Sequence, residues 1–86
     1  MKAMIFSEYG GPEVMKFAER PTPTPGPGQA LVKVAAAGVN FIDIYQRMGW
    51  YKVSLPAIPG SEGAGVVEGA GPGVTEARPG DRVAWL

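Results

Sequence analysis

Glycine and proline interrupt this chain at short intervals, and that spacing limits what it can fold into. The 86 residues include 13 glycines and 9 prolines, about a quarter of the total and close to the proportion at which disorder becomes plausible. Against disorder, 45% of the residues are hydrophobic, and they stand in short runs between the glycines and prolines. A turn-rich β protein places glycine and proline at its corners and apolar residues in its strands. The pattern therefore predicts a mainly β fold of one small domain.

Five segments have the composition of β-strands. Apolar runs bounded by turn residues predict strands at residues 2–6, 14–17, 30–37, 63–69 and from 81 onward. Residues 20–28 contain four alternating prolines, and proline cannot donate a hydrogen bond to a sheet. We interpret this segment as an extended connector. A proline-rich ligand for a recognition module is the alternative that we favour less.

One short helix is predicted near the middle of the chain. Apolar side chains recur there at the spacing of a single helical face, at Phe41, Ile44, Tyr45 and Met48. Asn40 has the position of an N-cap, Asp43 is the third helical residue, and Gly49 ends the helix. Capping is the plain interpretation of Asn40, and it is compatible with cofactor contact because a helix N-terminus favours negative charge.

The chain contains no cysteine and no histidine. It therefore lacks the usual zinc ligands, the partners of Ser-His and Cys-His catalysis, and any disulfide. Its 8 basic and 8 acidic residues form no basic block, so we expect no binding to nucleic acid. No apolar run approaches the roughly 20 residues of a membrane span, and the first apolar run is too short for a signal peptide. We expect no membrane association and a cytoplasmic location.

The glycine-rich segment 63–73 does not match the dinucleotide-binding fingerprint. Glu68 stands where the third glycine of G-x-G-x-x-G belongs, and no helix follows within a βαβ unit. We interpret these glycines as residues for turns and close backbone packing. Glu62 is either a buried acid or a turn residue, and both interpretations stay open.

Several motifs, in the same order along the chain, resemble one known family. They are GVNFIDIYQRMGWY at residues 38–51 and PGSEGAGVV at residues 59–67, with shorter matches at 2–4, 10–15 and 79–83. Together they resemble the zinc-free quinone oxidoreductase, or zeta-crystallin-like, branch of the medium-chain dehydrogenase/reductase family. In zinc-dependent members, Cys and His occupy the places of Asn40 and Ser61. The resemblance implies that residues 1–86 are the N-terminal part of a GroES-like catalytic domain. This part would be a partial β-barrel with one short helix, with the Rossmann domain absent.

The resemblance also implies a function. It implies NADPH-dependent, zinc-independent reduction of a quinone or related conjugated carbonyl by a full-length homodimer. It places Asn40, Phe41 and Ile42 beside the nicotinamide. Tyr51, and next Tyr45, would stabilise negative charge on the substrate oxygen, since a tyrosine with its ordinary pKa of about 10 keeps its proton at neutral pH. Because the Rossmann domain would hold most of the NADPH, we expect negligible activity from the 86 residues alone.

Two other functions remain open. The first is an enoyl reductase of the same family, which reduces a C=C bond in a thioester. The second is a non-enzymatic GroES-like module for binding or assembly. The motif continuation at residues 47–51 favours the quinone group. The particular quinone, the choice between NADPH and NADH, and whether the chain is a natural short protein or a truncation stay open.

Overall fold

A computed structural model of the chain describes all 86 residues. Its regular elements are β1 (Lys2–Ile5), β2 (Lys16–Glu19), β3 (Ala30–Ala37), α1 (Phe41–Met48), β4 (Gly63–Ala70) and β5 (Arg82–Trp85). The strands form two separate sheets, β1–β2 and β3–β4–β5, and every pairing is antiparallel. Neither sheet closes into a barrel. The predicted mainly β fold with one helix is confirmed, and it is consistent with a partial GroES-like barrel.

The first of two compact units comprises Met1–Pro21 and Val39–Ser61. Its sheet pairs β1 with β2 so that Lys2 lies opposite Glu19. Beyond β1, Phe6 exchanges two backbone hydrogen bonds with Ala57, at 3.0 and 2.9 Å. The buried apolar side chains of this unit are Ile5, Phe6 and Val14. Burying these side chains is what stabilises a unit with so little regular structure.

The second predicted strand begins later than expected. Pro12–Val14 forms a short 3-10 turn, and β2 starts only at Lys16. Proline pre-sets the backbone angle for the first position of such a turn, and Gly11 precedes it. Val14 turns its side chain into the core from this position. Val14 is thus part of the buried core of the unit although it does not belong to the sheet.

Helix α1 begins and ends where the sequence predicts. Asn40 and Asp43 form a capping box, whose well-formed half is the bond from the Asn40 N–H to Asp43 Oδ2 at 2.9 Å. Gly49 follows the helix with φ of 84°, a left-handed conformation that glycine adopts at little cost. Neither the helix nor the 3-10 turn is long and apolar enough to cross a membrane.

The second unit comprises Thr22–Gly38 and Glu62–Leu86. Strand β4 lies at the centre of its sheet, between β3 and β5, and Val67 on β4 is its buried apolar side chain. The pairing of β3 with β4 shifts register twice, between Leu31 and Val32 and between Val34 and Ala36.

The proline-rich connector has no strand or helix, as predicted. The last strand starts one residue late because Asp81 closes a turn by accepting a 2.9 Å bond from the Arg78 N–H.

Candidate active site

Two aromatic side chains of α1 and two from the segment just beyond the helix form one aromatic cluster. They are Phe41, Tyr45, Trp50 and Tyr51. The Tyr45 ring is central, with its centroid 5.3 Å from that of Trp50, 6.0 Å from Tyr51 and 6.4 Å from Phe41. The Trp50 and Phe41 rings are nearly parallel to it, at 23° and 16°, and the Tyr51 ring is tilted by 53°. These separations are typical of interacting aromatic pairs.

Local backbone structure explains why these rings meet. Phe41 and Tyr45 are four residues apart on α1, the spacing that places two side chains on the same helical face. The chain then reverses at Gly49, and the Trp50 N–H donates to the Tyr45 carbonyl at 2.9 Å. The reversal returns Trp50 and Tyr51 to the side of the helix that carries Tyr45.

The two tyrosine hydroxyls of the aromatic cluster make no hydrogen bond within the chain. Tyr45 is half-buried by the surrounding rings, whereas Tyr51 is 57% exposed. By contrast, the Tyr9 hydroxyl both donates to and accepts from the backbone of Val53. Because the hydroxyls of Tyr45 and Tyr51 lack internal partners, they are available as hydrogen-bond donors to a ligand.

The N-terminal end of α1 carries the other predicted site residues. Asn40 is exposed, and its side chain makes no hydrogen bond of ordinary geometry. Phe41 is 73% exposed, and Ile42 is half-buried. Asp43 is only 8% exposed, and its Oδ1 atom has no partner while Oδ2 accepts the Asn40 N–H. Asp43 therefore helps to organise the helix start.

Asn40 and Ser61, which stand where zinc-dependent relatives are expected to have Cys and His, do not lie beside a cluster of metal-binding side chains. Asn40 and Ser61 are both exposed, and no group of three or more acidic, histidine or cysteine side chains could hold a metal ion. Among the usual zinc-ligating side chains, these 86 residues contain only carboxylates, which are dispersed along the chain.

Glu62 belongs to the second unit and is half-buried. Its carboxylate lies so close to Gly38 that a Cβ atom at Gly38 would overlap it. Both residues line an open, mainly apolar cleft of about 710 Å³, where the ends of β3, β4 and β5 meet and where Trp85 forms one wall. Glu62 is therefore a packed acid beside the start of β4, and none of the predicted catalytic or cofactor residues lies in this cleft.

The structure brings together three of the five predicted site residues and adds one. Phe41, Tyr45 and Tyr51 share the aromatic cluster, while Asn40 and Ile42 are the chain neighbours of Phe41. Trp50 was not predicted as a site residue. The sequence shows Trp50 directly after the helix-ending Gly49, next to Tyr51, but only the structure shows that it is exposed. The individual roles of these residues stay predictions.

Comparison with known proteins assigns the chain to a family. Residues 26–86 match the family described as alcohol dehydrogenase GroES-like domain. Over 86 residues the chain is 45% identical to a quinone oxidoreductase of Rattus norvegicus, with 96% of this chain and 26% of that protein covered. Its structure is similar to that of Escherichia coli quinone oxidoreductase complexed with NADPH, at 40% identity and a TM-score of 0.94, covering 98% of this chain and 26% of that one.

A metal-containing relative is similar as well. A cobalt- and zinc-bound thermostable alcohol dehydrogenase from Pyrobaculum aerophilum is 52% identical, with a TM-score of 0.92 over 98% of this chain and 26% of that one. The chain spans about a quarter of the length of these relatives. The resemblance found from the motifs is confirmed: the chain belongs to the alcohol dehydrogenase GroES-like domain family, and quinone oxidoreductases are among its relatives.

Proposed function

We propose that this chain is the N-terminal catalytic-domain segment of an NADPH-dependent, zinc-independent quinone oxidoreductase. One observation carries the proposal. Phe41, predicted beside the cofactor, and Tyr45 and Tyr51, predicted to bind the substrate oxygen, lie in one aromatic cluster with successive centroid distances of 6.4 and 6.0 Å. An exposed aromatic surface of this kind suits a planar conjugated ring, and the free tyrosine hydroxyls suit its carbonyl oxygens.

The helix start fits the nicotinamide half of the cofactor. The side-chain NH2 of the exposed Asn40 has no partner and can donate to a carboxamide oxygen, while the side-chain oxygen faces the Asp43 N–H in the capping box. The exposed Phe41 ring next to it offers an apolar face. NADPH, when bound, supplies the hydride. Asn40, Phe41 and Ile42 would orient the nicotinamide.

The tyrosines would stabilise charge on the substrate. When a quinone carbonyl is reduced, negative charge develops on its oxygen, and a neutral hydroxyl aimed at that oxygen stabilises it. Tyr51 is the first candidate because its hydroxyl is exposed and without a partner, and Tyr45 is the second. Trp50 would limit the access of water to the Tyr45 ring on which it stacks.

The Tyr51 hydroxyl provides the direct test. In the full-length protein, NADPH oxidation is measured with benzoquinone and, separately, with an enoyl thioester. Removing one donor to a developing oxyanion lowers kcat by about 100-fold or more, so Tyr51→Phe should lose about that factor with benzoquinone. Its melting temperature should equal that of the wild type because the hydroxyl has no internal partner. If the wild-type protein reduced the enoyl thioester but not benzoquinone, that result would contradict the quinone assignment and favour an enoyl reductase.

Zinc independence rests on the residue types. The chain offers neither thiolate nor imidazole, and its carboxylates form no metal-binding group. We expect the purified full-length protein to contain no stoichiometric catalytic zinc and to keep its quinone activity in EDTA. Loss of activity in EDTA that is restored by added zinc would contradict this part of the proposal.

We also propose a cytoplasmic homodimer for the full-length protein. The support is the family resemblance, together with a sequence that lacks cysteine. Cell fractionation tests the location, and size-exclusion chromatography with light scattering tests the oligomeric state.

A further inference from the structure

The segment that carries Tyr51 has no regular secondary structure, so something other than a helix or a sheet must hold it. Residues 50–53 follow the helix-ending Gly49. The Tyr51 N–H lies 3.4 Å from the Tyr45 carbonyl, at the long end of hydrogen-bonding distance, and it shares that acceptor with Trp50. The Tyr51 hydroxyl has no internal partner. Apart from the contact of its ring with Tyr45, the orientation of Tyr51 therefore depends on contacts made by the residues on either side of it.

A single side chain, that of Tyr9, contacts the segment on both sides of Tyr51. Its hydroxyl donates to the Val53 carbonyl at 3.0 Å and accepts from the Val53 N–H at 3.1 Å. Its ring lies against Gly49, where an added Cβ would be 2.9 Å from Tyr9 Cγ. The Lys52 ammonium stands 4.6 Å from the centre of the same ring, within the range of a cation–π interaction.

Tyr9 is itself fixed to the core of the first unit. Its ring interacts with that of the buried Phe6 at a centroid distance of 6.5 Å. The next residue, Gly10, donates its N–H to the Arg47 carbonyl at 2.9 Å and accepts from Arg47 Nε at 3.1 Å. The turn that bears Tyr9 is thus joined to the last turn of α1, and Tyr9 cannot shift without disturbing both.

We propose that Tyr9 is a positioning residue for Tyr51. By holding Gly49 and Val53, it fixes the two ends of the short segment in which Tyr51 lies, and so directs the Tyr51 hydroxyl. This inference rests on the proposed function, in which Tyr51 donates a hydrogen bond to the substrate oxygen. Tyr9 touches neither substrate nor cofactor in this scheme and acts only through the segment that it holds.

A double-mutant cycle in the full-length protein tests the proposal. A catalytic group displaced by about 1 Å can lose up to about 100-fold in rate, so Tyr9→Phe, which keeps the ring and removes the hydroxyl, should lower kcat with benzoquinone by about 10- to 100-fold. The KM for NADPH should not change. In a Tyr51→Phe background, Tyr9→Phe should cause no further loss, because the group that it positions is already gone. An equal loss in both backgrounds would overturn the proposal.

A stability-matched control separates positioning from general destabilisation. Val67→Ala removes a buried side chain from the second unit, to which none of these residues belongs. It should lower the melting temperature at least as much as Tyr9→Phe and leave kcat unchanged. A parallel loss of kcat in Val67→Ala would show that Tyr9 acts through stability alone, which contradicts a positioning role.

Amide hydrogen exchange gives a measurement that does not depend on activity. The Val53 N–H should exchange at least 10-fold faster in Tyr9→Phe, because its acceptor is removed. The Ala57 N–H, which donates to the Phe6 carbonyl at 2.9 Å, is an internal reference and should be unchanged. Unchanged exchange at Val53 overturns the proposal. If the wild-type protein fails to reduce quinones, the proposed function is contradicted, while faster Val53 exchange still supports the Tyr9 contact.

Discussion

Gly65 shows how one residue type is required by the approach of a neighbouring strand. It is buried on the central strand β4 and pairs with Val34 on one side and Val83 on the other. A Cβ atom there would overlap the Lys33 carbonyl oxygen and would lie 2.9 Å from Val32 Cγ1. Since the overlap is with backbone, no rotation of a side chain can relieve it. Glycine at this position allows β3 and β4 to stay in register between the two shifts.

We predict that Gly65→Ala destabilises the fold and that Gly69→Ala does not. Overpacking a buried position costs about 1–3 kcal/mol of unfolding free energy, and the backbone overlap places Gly65→Ala in that range. At Gly69, on the same strand, a Cβ would meet nothing within 4 Å. There the loss of chain entropy in the unfolded state should make alanine neutral or stabilising by up to about 1 kcal/mol. Urea unfolding followed by circular dichroism measures both. A urea midpoint for Gly65→Ala equal to that of Gly69→Ala would contradict the predicted close packing at Gly65.

At the scale of elements, helix α1 is defined at its start by the carboxylate of Asp43. The Asn40 N–H donates to Asp43 Oδ2, whereas the Asn40 side chain forms no bond of ordinary geometry to the helix. A negative charge in the first helical turn also interacts favourably with the helix dipole. The sequence identifies Asn40 as the N-cap and Asp43 as the third helical residue, but it does not reveal which side chain carries the stabilising bond.

Substitutions at the two capping positions should therefore differ. Asp43→Ala should lower the free energy of unfolding by about 1 kcal/mol, a typical loss for a removed helix cap. The loss should not be larger, because the substitution also removes the buried Oδ1 atom, which has no hydrogen-bond partner. Asn40→Ala should change it by less than about 0.5 kcal/mol, because the Asn40 side chain is exposed and its capping-box contact is not a well-formed hydrogen bond. Chemical denaturation of both variants provides the measurement. A larger loss in Asn40→Ala than in Asp43→Ala would refute this assignment of the cap.

The elements themselves were largely predictable because their signals are local. Apolar spacing, the capping residues and Gly49 lie within nine residues of one another, and they predict α1 with its observed ends. The same holds for the strands. Their observed ends differ from the predicted ones by one or two residues where a turn borders the strand, as at Asp81. The pairing of β3 with β4, with its two register shifts, was not predictable, because it joins residues separated by the whole of α1.

At the scale of the whole molecule, the chain spans about a quarter of the length of its quinone oxidoreductase relatives. Its glycine-rich segment lacks the dinucleotide-binding fingerprint, because its glycines lie on strand β4 and in the turn after it instead of opening a helix. The two free tyrosine hydroxyls and the Asn40 amide are therefore only part of what a reductase requires.

We predict that the 86-residue chain alone has negligible reductase activity. Without groups to hold the adenine and phosphates, its affinity for NADPH should be too low for turnover. NADPH oxidation in the presence of benzoquinone should equal that of a quinone-only control, under conditions in which the full-length protein is active. Oxidation above that control by the isolated chain would contradict the prediction.

Residue types and spacings of a few positions were sufficient to predict the mainly β fold, the helix with its two ends, the absence of thiolate and imidazole ligands, and the family. These signals act within single elements or match motifs directly. The folded structure was needed to show that Trp50 stacks on Tyr45 and that β3 requires glycine at position 65. It also revealed that Tyr9 holds Val53, a residue 44 positions away. Such contacts join residues that are brought together only by folding, so no local pattern records them.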